Sequence, residues 1–234
     1  MTTQSQLEIK EWFDQTYKSH GEWYLRPTVA YKIFLTLLEA KNGESLLDVA
    51  CGLGRMIAVC NESGLKPSGI DISDVAVQKA NLKYNDADIR VGNAENLPYP
   101  DKNFDYVTCL GSLERMLDRK KALSEMRRVL SDDGRICLLV RNSESWFWKF
   151  IQNPLGFVNK KGHQDAKNLE DWSSLFHDSG FNIIEVYKDQ WPLMKWKRYL
   201  SMGLWNGYNK IHKGWIPVRY AYEFVYILEK NQNL

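Results

Sequence analysis

Residues 46–56 read LLDVACGLGRM. An apolar run of strand length carries one carboxylate, Asp48, and ends in two glycines, Gly52 and Gly54, before the amphipathic stretch GRMIAVCNES at 54–63. A buried strand turning through glycines into a helix is the start of a βαβ unit. The turn brings backbone N–H groups to the end of the strand, where a ligand can approach with no Cβ in the way.

Outward from this stretch the pattern continues. PSGID (67–71), ADIRVG (87–92), FDYVTCL (104–110) and RICLLV (135–140) read as strands, with SDVAVQKANLKY (73–84) and DRKKALSEMRRVLSDDG (118–134) as helices between them. Ser73 or Asp74 supplies an N-cap, and Asp-Asp-Gly at 132–134 a helix stop. Later come LEDWSSLFHDSG (169–180) as a helix, then FNIIEVYK (181–188) and YAYEFVYILEK (220–230) as strands. Strands alternating with helices predict an α/β, doubly wound, seven-stranded, mostly parallel sheet with helices on both faces. Ahead of it TVAYKIFLTLLEA (28–40) reads as one helix stopped by Lys-Asn-Gly at 41–43. There is no repeat or low-complexity linker, so one domain is expected: a helical cap over 1–44, a cofactor-binding core over 45–187, a flap over 188–220 and a last strand and tail over 221–234. The flap holds seven basic residues against one acid, Asp189, and four of the nine tryptophans, on a chain whose net charge is only +2.

Composition is ordinary for a globular protein, with 44% hydrophobic and 26% charged residues. The small net charge calls for no nucleic-acid partner. The N-terminal stretch lacks a signal-peptide pattern and no long apolar run occurs, so a cytoplasmic protein is expected, monomer or homodimer. Cys51, Cys60, Cys109 and Cys137 sit in apolar segments without metal-ligand spacing and read as buried, reduced thiols.

Two cofactors suit such a turn. A dinucleotide needs a third glycine to close G-x-G-x-x-G, and Ile57 stands there; Asp48 would also repel a pyrophosphate. The acid suits a cationic ligand instead. Asp71, ending the second strand 17 residues after Gly54, can accept the hydroxyls of a ribose. S-adenosyl-L-methionine has the matching cation, chain and sugar.

The chain resembles the class I S-adenosylmethionine-dependent methyltransferases, in the small-molecule branch that includes the quinone-biosynthesis enzymes. LLDVACGLGR is similar to the family's glycine motif and GIDIS to its acid motif. VGNAENLPYPDKNFDYVTCLGSLERMLD resembles the stretch over strands three and four, and EMRRVLSDDGRICLLV the helix and strand that follow. The resemblance implies that Asp48, Ala50, Gly52 and Gly54 hold the methionine end and that Asp71 holds the ribose. It places Ile72 on one adenine face, Asn93 with the Ala94 N–H on the adenine edge, and the Leu110 carbonyl near the sulfonium. Cys51, Glu95 and Gly111 complete the cofactor set, with Tyr17 among the N-terminal aromatics (Phe13, Trp23 and Tyr24 beside it) that cap the cofactor. Two positions depart from the family: Asn93 where Asp is usual, and Arg115 where many relatives have His.

The implied reaction is methyl transfer to a small hydrophobic or aromatic molecule, O-methylation first, with Glu114, His163 and His20 as candidate bases. An aromatic stretch at 146–150 and the flap are expected to enclose the acceptor. The flap has other readings, as a peripheral membrane contact or as plain structural cover. Beside the enzyme stand a catalytically silent cofactor-binding subunit, and methylation of a peptide or lipid-linked acceptor.

Overall fold

The computed structural model describes residues 5–20, 25–145, 165–189 and 217–232. Chain order runs α1 (Gln6–His20), a 3-10 turn (Thr28–Tyr31), α2 (Lys32–Leu38), β1 (Ser45–Val49), α3 (Arg55–Glu62), β2 (Lys66–Asp71), α4 (Asp74–Lys83), β3 (Asp88–Val91) and β4 (Phe104–Leu110). It continues through a 3-10 turn (Leu113–Arg115), α5 (Arg119–Val129), β5 (Leu130–Arg141), α6 (Leu169–Asp178), β6 (Phe181–Asp189), a 3-10 turn (Val218–Tyr220) and β7 (Glu223–Lys230). The seven strands form one sheet in the order β3-β2-β1-β4-β5-β7-β6. β7 alone runs antiparallel to its neighbours, pairing β5 on one side and β6 on the other.

Strand alternation sorts the core into two layers. Leu47, Val107, Ile136, Leu138 and Tyr226 face α5 and α6 through Leu123, Met126, Trp172 and Phe176. Leu46, Tyr106, Cys137, Leu139 and Ile227 face α2 and α3 through Phe34, Leu38, Met56 and Val59. All four cysteines are buried and free. No described helix is long and apolar enough to cross a membrane.

Four boundaries differ from expectation. The 28–40 helix is split, a 3-10 turn leading into α2, which ends on Glu39 in left-handed conformation with its N–H closing on the Leu35 and Thr36 carbonyls. Asp-Asp-Gly does not stop α5, because β5 starts at Leu130, opposite Phe104, and a register shift carries the 131–134 stretch within the strand. A Cβ on Gly134 would lie 2.8 Å from the Asp105 carbonyl, so glycine is what lets the strand pass there. Lys188 and Asp189 belong to β6, pairing Phe224 and Glu223, rather than to the flap. β7 begins at Glu223, after a 3-10 turn, rather than at Tyr220. Residues 190–216 of the flap and the aromatic stretch 146–150 lie outside the described residues.

Trp172 is the largest fully buried side chain among the described residues; it stacks on Phe176 at 5.8 Å and donates Nε1–H to the Arg141 carbonyl at 2.9 Å. Replacing it with Ala should cost about 3–5 kcal/mol, read as a lower urea midpoint at unchanged m-value.

Candidate functional site

β1 and β4 are neighbours from which the chain crosses over in opposite directions, so a crevice opens at their carboxyl ends. The turn after β1 forms its floor. Ala50 adopts a positive φ of 59°, and Gly52 and Gly54 follow at 52° and 74°. A Cβ at Gly52 would sit 2.7 Å from the Tyr17 hydroxyl and one at Gly54 2.8 Å from the Tyr84 ring. These glycines are therefore required by the backbone and by two tyrosines as well as by any ligand. Asp71 fastens the turn: one carboxylate oxygen accepts from Gly52 N–H at 2.8 Å, the other from Ser73 N–H at 2.9 Å. Ser73, the N-cap of α4, accepts from Ala76 N–H.

A cleft of about 580 Å³, partly open to solvent, lies over this edge. Its walls are Ala50 after β1, Ile70, Asp71 and Ile72 at the end of β2, Gly92 to Glu95 after β3, and Ser112 with Arg115 to Leu117 after β4. Its roof is one face of α1: Gln6, Ile9, Phe13 and Tyr17, at spacings of three and four residues. The flanking stripe of α1 ties that roof to the loops below. Gln6 donates to Glu95 at 2.9 Å, and Lys10 pairs with Asp14 at 2.8 Å and Asp74 at 2.6 Å. Asp14 accepts from Ser73 Oγ at 2.5 Å and Val75 N–H at 3.3 Å, and Lys79 donates to the Tyr17 carbonyl at 2.7 Å. The Arg115 guanidinium lies 5.6 Å from the Trp12 ring and 5.5 Å from the Phe13 ring, within cation–π range.

The crevice is acidic. Asp48 is buried and accepts from Thr108 Oγ1 at 2.7 Å, across the β1–β4 register. Burial pushes its carboxyl up to about 7, against the Thr108 hydrogen bond and with help from Asp71. Burial likewise raises Asp71 to about 6, offset by the N–H groups of Ser73 and Gly52. Two carboxyls held above their usual range in a crevice mark a place where positive charge is welcome.

Of the expected cofactor residues, the cleft wall gathers Tyr17, Ala50, Asp71, Ile72, Asn93, Ala94 and Glu95. Asp48, Cys51, Gly52, Gly54, Leu110 and Gly111 are not on the wall. Asp48 and the glycines lie behind it, and the Cys51 side chain packs with Ile57, Val77 and Ile89. Gly111 N–H is spent on the Leu139 carbonyl at 2.8 Å. The Asn93 side-chain carbonyl accepts from Glu95 N–H at 2.9 Å, closing a local turn. Among the expected bases, Glu114 is fully buried beside the cleft, His20 is exposed at the end of α1 against Ser19 Oγ, and His163 lies outside the described residues, as do Trp23 and Tyr24. The polar stripe of α1 was not foreseen. Lys10 and Asp14 at i,i+4 look in sequence like a solvated helix face, and only the tertiary packing shows what Asp14 grips.

A methyltransferase-domain family model matches residues 47–138. The demethylmenaquinone methyltransferase of Listeria monocytogenes is 31% identical over 196 residues, covering 72% of this chain and 80% of that protein. This chain is a class I S-adenosylmethionine-dependent methyltransferase by family. An uncharacterised protein of Methanocaldococcus jannaschii is 33% identical over 151 residues, 64% of this chain and 57% of that protein. The chain spans about half the length of several curated relatives it matches, from 40% to 57%. The fold is shared with phosphoethanolamine N-methyltransferase 2 of Haemonchus contortus in complex with S-adenosyl-L-methionine, at a TM-score of 0.71 and 19% identity, covering 96% of this chain and 60% of that one.

The donor set fits the family's cofactor. Beyond its bonds to the backbone, the Asp71 carboxylate has lone pairs that could accept from ribose hydroxyls, Ile72 and Met116 offer apolar walls that would suit a flat base, and the buried acids would suit a cation. Since both acids must be ionised to attract that cation and both sit above the usual range, affinity for S-adenosylmethionine should rise from pH 5 to pH 8, with its steepest part between about 6 and 7. Calorimetric titration checks this; in Asp71→Asn the component near 6 should vanish. The roof contacts should govern residence time. Asp14→Asn should speed release of S-adenosylhomocysteine several-fold in stopped-flow, with tryptophan fluorescence as reporter.

Proposed function

We propose that the protein transfers a methyl group from S-adenosylmethionine to a small, hydrophobic or aromatic molecule, with a hydroxyl oxygen as the favoured acceptor atom. The observation that carries this reading is the roofed cleft in which Asp71 both fastens the Gly52 turn and lines the wall. The Listeria relative, named for methyl transfer to demethylmenaquinone, supports a small-molecule acceptor.

When bound, S-adenosylmethionine supplies a methyl carbon already activated by a sulfonium leaving group. The chain's own part is to hold and to exclude. Asp71 and the Ala94 backbone fix the nucleoside, the α1 face keeps water out, and the loop after β4 adjoins the acceptor's path. Alignment of this kind supplies roughly 7–11 kcal/mol of barrier lowering without metal or covalent nucleophile.

S-adenosylmethionine should bind in calorimetry where NAD does not. Asp71→Ala removes one or two charge-assisted hydrogen bonds worth about 1.5–3 kcal/mol each, so it should weaken binding about tenfold or more. Unchanged affinity in that variant would place the ribose elsewhere.

A further inference from the structure

The loop after β3 begins Gly-Asn-Ala-Glu at 92–95, and all four residues line the cleft, as do Ile72 and Met116. Its polar groups can be followed one by one. Asn93 Oδ1 accepts from the Glu95 N–H at 2.9 Å, and the Asn93 carbonyl accepts from the Asn96 N–H at 3.0 Å. Glu95 Oε1 accepts twice, from Gln6 Nε2 at 2.9 Å and from the Asp118 N–H at 3.1 Å, so that carboxylate is a strut between the roof and the start of α5. Among the described residues, Asn93 Nδ2 and the Ala94 N–H donate to nothing, and both residues are half-buried on the cleft wall.

The orientation of the Asn93 amide is fixed by chemistry. A backbone N–H needs an acceptor and an amide nitrogen is not one, so the Glu95 N–H holds Oδ1 on its own side and turns Nδ2 to the other. With aspartate here, the family's usual residue, that second terminus would be an acceptor. In this chain it is a donor, next in sequence to the open Ala94 N–H. Adenine offers one donor and one acceptor along either edge, its 6-amino group with N1 or with N7. Two donors match neither edge. For Asn93 to accept from the 6-amino group its amide must turn over, which takes the acceptor away from the Glu95 N–H. A 6-oxopurine offers two acceptors, O6 and N7, to two donors with the amide left as it is.

We propose that Asn93 opens the base end of the cleft to 6-oxopurine nucleosides, so that the chain binds S-inosylhomocysteine at least as tightly as S-adenosylhomocysteine. The ligand class is a 6-oxopurine ribonucleoside thioether, with Asp71 on the ribose as in the adenosyl ligand. The two thioethers differ only at the base, where an oxygen replaces the 6-amino group and N1 gains a proton. This rests on the methyltransferase reading above. Asn93 is then a specificity residue that acts on the base and leaves the methyl group untouched.

The test is calorimetry on the full chain with the two thioethers, S-adenosylhomocysteine and S-inosylhomocysteine. The parent should bind the inosyl form no more weakly than the adenosyl form. Asn93→Asp keeps an acceptor for the Glu95 N–H and replaces the donor with a second acceptor, so it should favour the adenosyl form by about tenfold or more. Glu95→Gln should leave the parent's ratio as it is. A parent that favours the adenosyl form tenfold, or an Asn93→Asp ratio equal to the parent's, would overturn the inference. So would a ratio that moves in Glu95→Gln and not in Asn93→Asp, which would give the base edge to Glu95. Failure of the underlying reading looks different: neither thioether would bind the parent chain.

Discussion

The Asp71 carboxylate, with one oxygen on Gly52 N–H and the other on Ser73 N–H, joins everything that makes a site here. Through the first bond it holds the turn after β1 against the end of β2. Through the second it fixes the residue whose hydroxyl caps α4 and binds Asp14 of the roof. One side chain thus sets the floor, a wall and the anchor of the roof. It can do so because a carboxylate has more acceptor positions than two backbone bonds consume.

The energetic consequence is a deliberately unfavourable interior. Asp48 and Asp71 lie in a low-dielectric crevice and raise each other's cost of ionisation. Such an arrangement weakens the empty protein and favours a cation that enters with its own charge. Stability is supplied elsewhere, by the two apolar layers and by the aromatic cluster in which Trp172 and Phe176 of α6 stack and Phe176 meets Tyr226 edge-on.

The antiparallel β7 gives the sheet edge its second character. A parallel strand presents its end at the carboxyl edge, whereas β7 presents its beginning, so Glu223 meets Arg141 and Asp189 where the ends of two strands flank the start of a third. The first half of the edge is built from loops and glycines; the second is built from strand ends and charges.

The sequence by itself determined the layered architecture, because strand alternation and helical periodicity are local properties that burial enforces. It also determined that Asp71, the glycine turn and Asn93 to Glu95 gather at one edge, since they follow strands whose ends must lie side by side. The limits of β5 and β6 were not local: Gly134 meets the Asp105 carbonyl and Asp189 pairs with Glu223, segments distant in sequence. Only the tertiary structure decided that Tyr17 rests on Gly52, that Asp14 grips Ser73, and that Arg26 meets Asp189 and Glu223. Those contacts join residues up to 197 positions apart, and no periodicity or spacing records such pairings. They come from how the N-terminal segment lies across the finished sheet edge, a matter of packing that exists once the strands are in order.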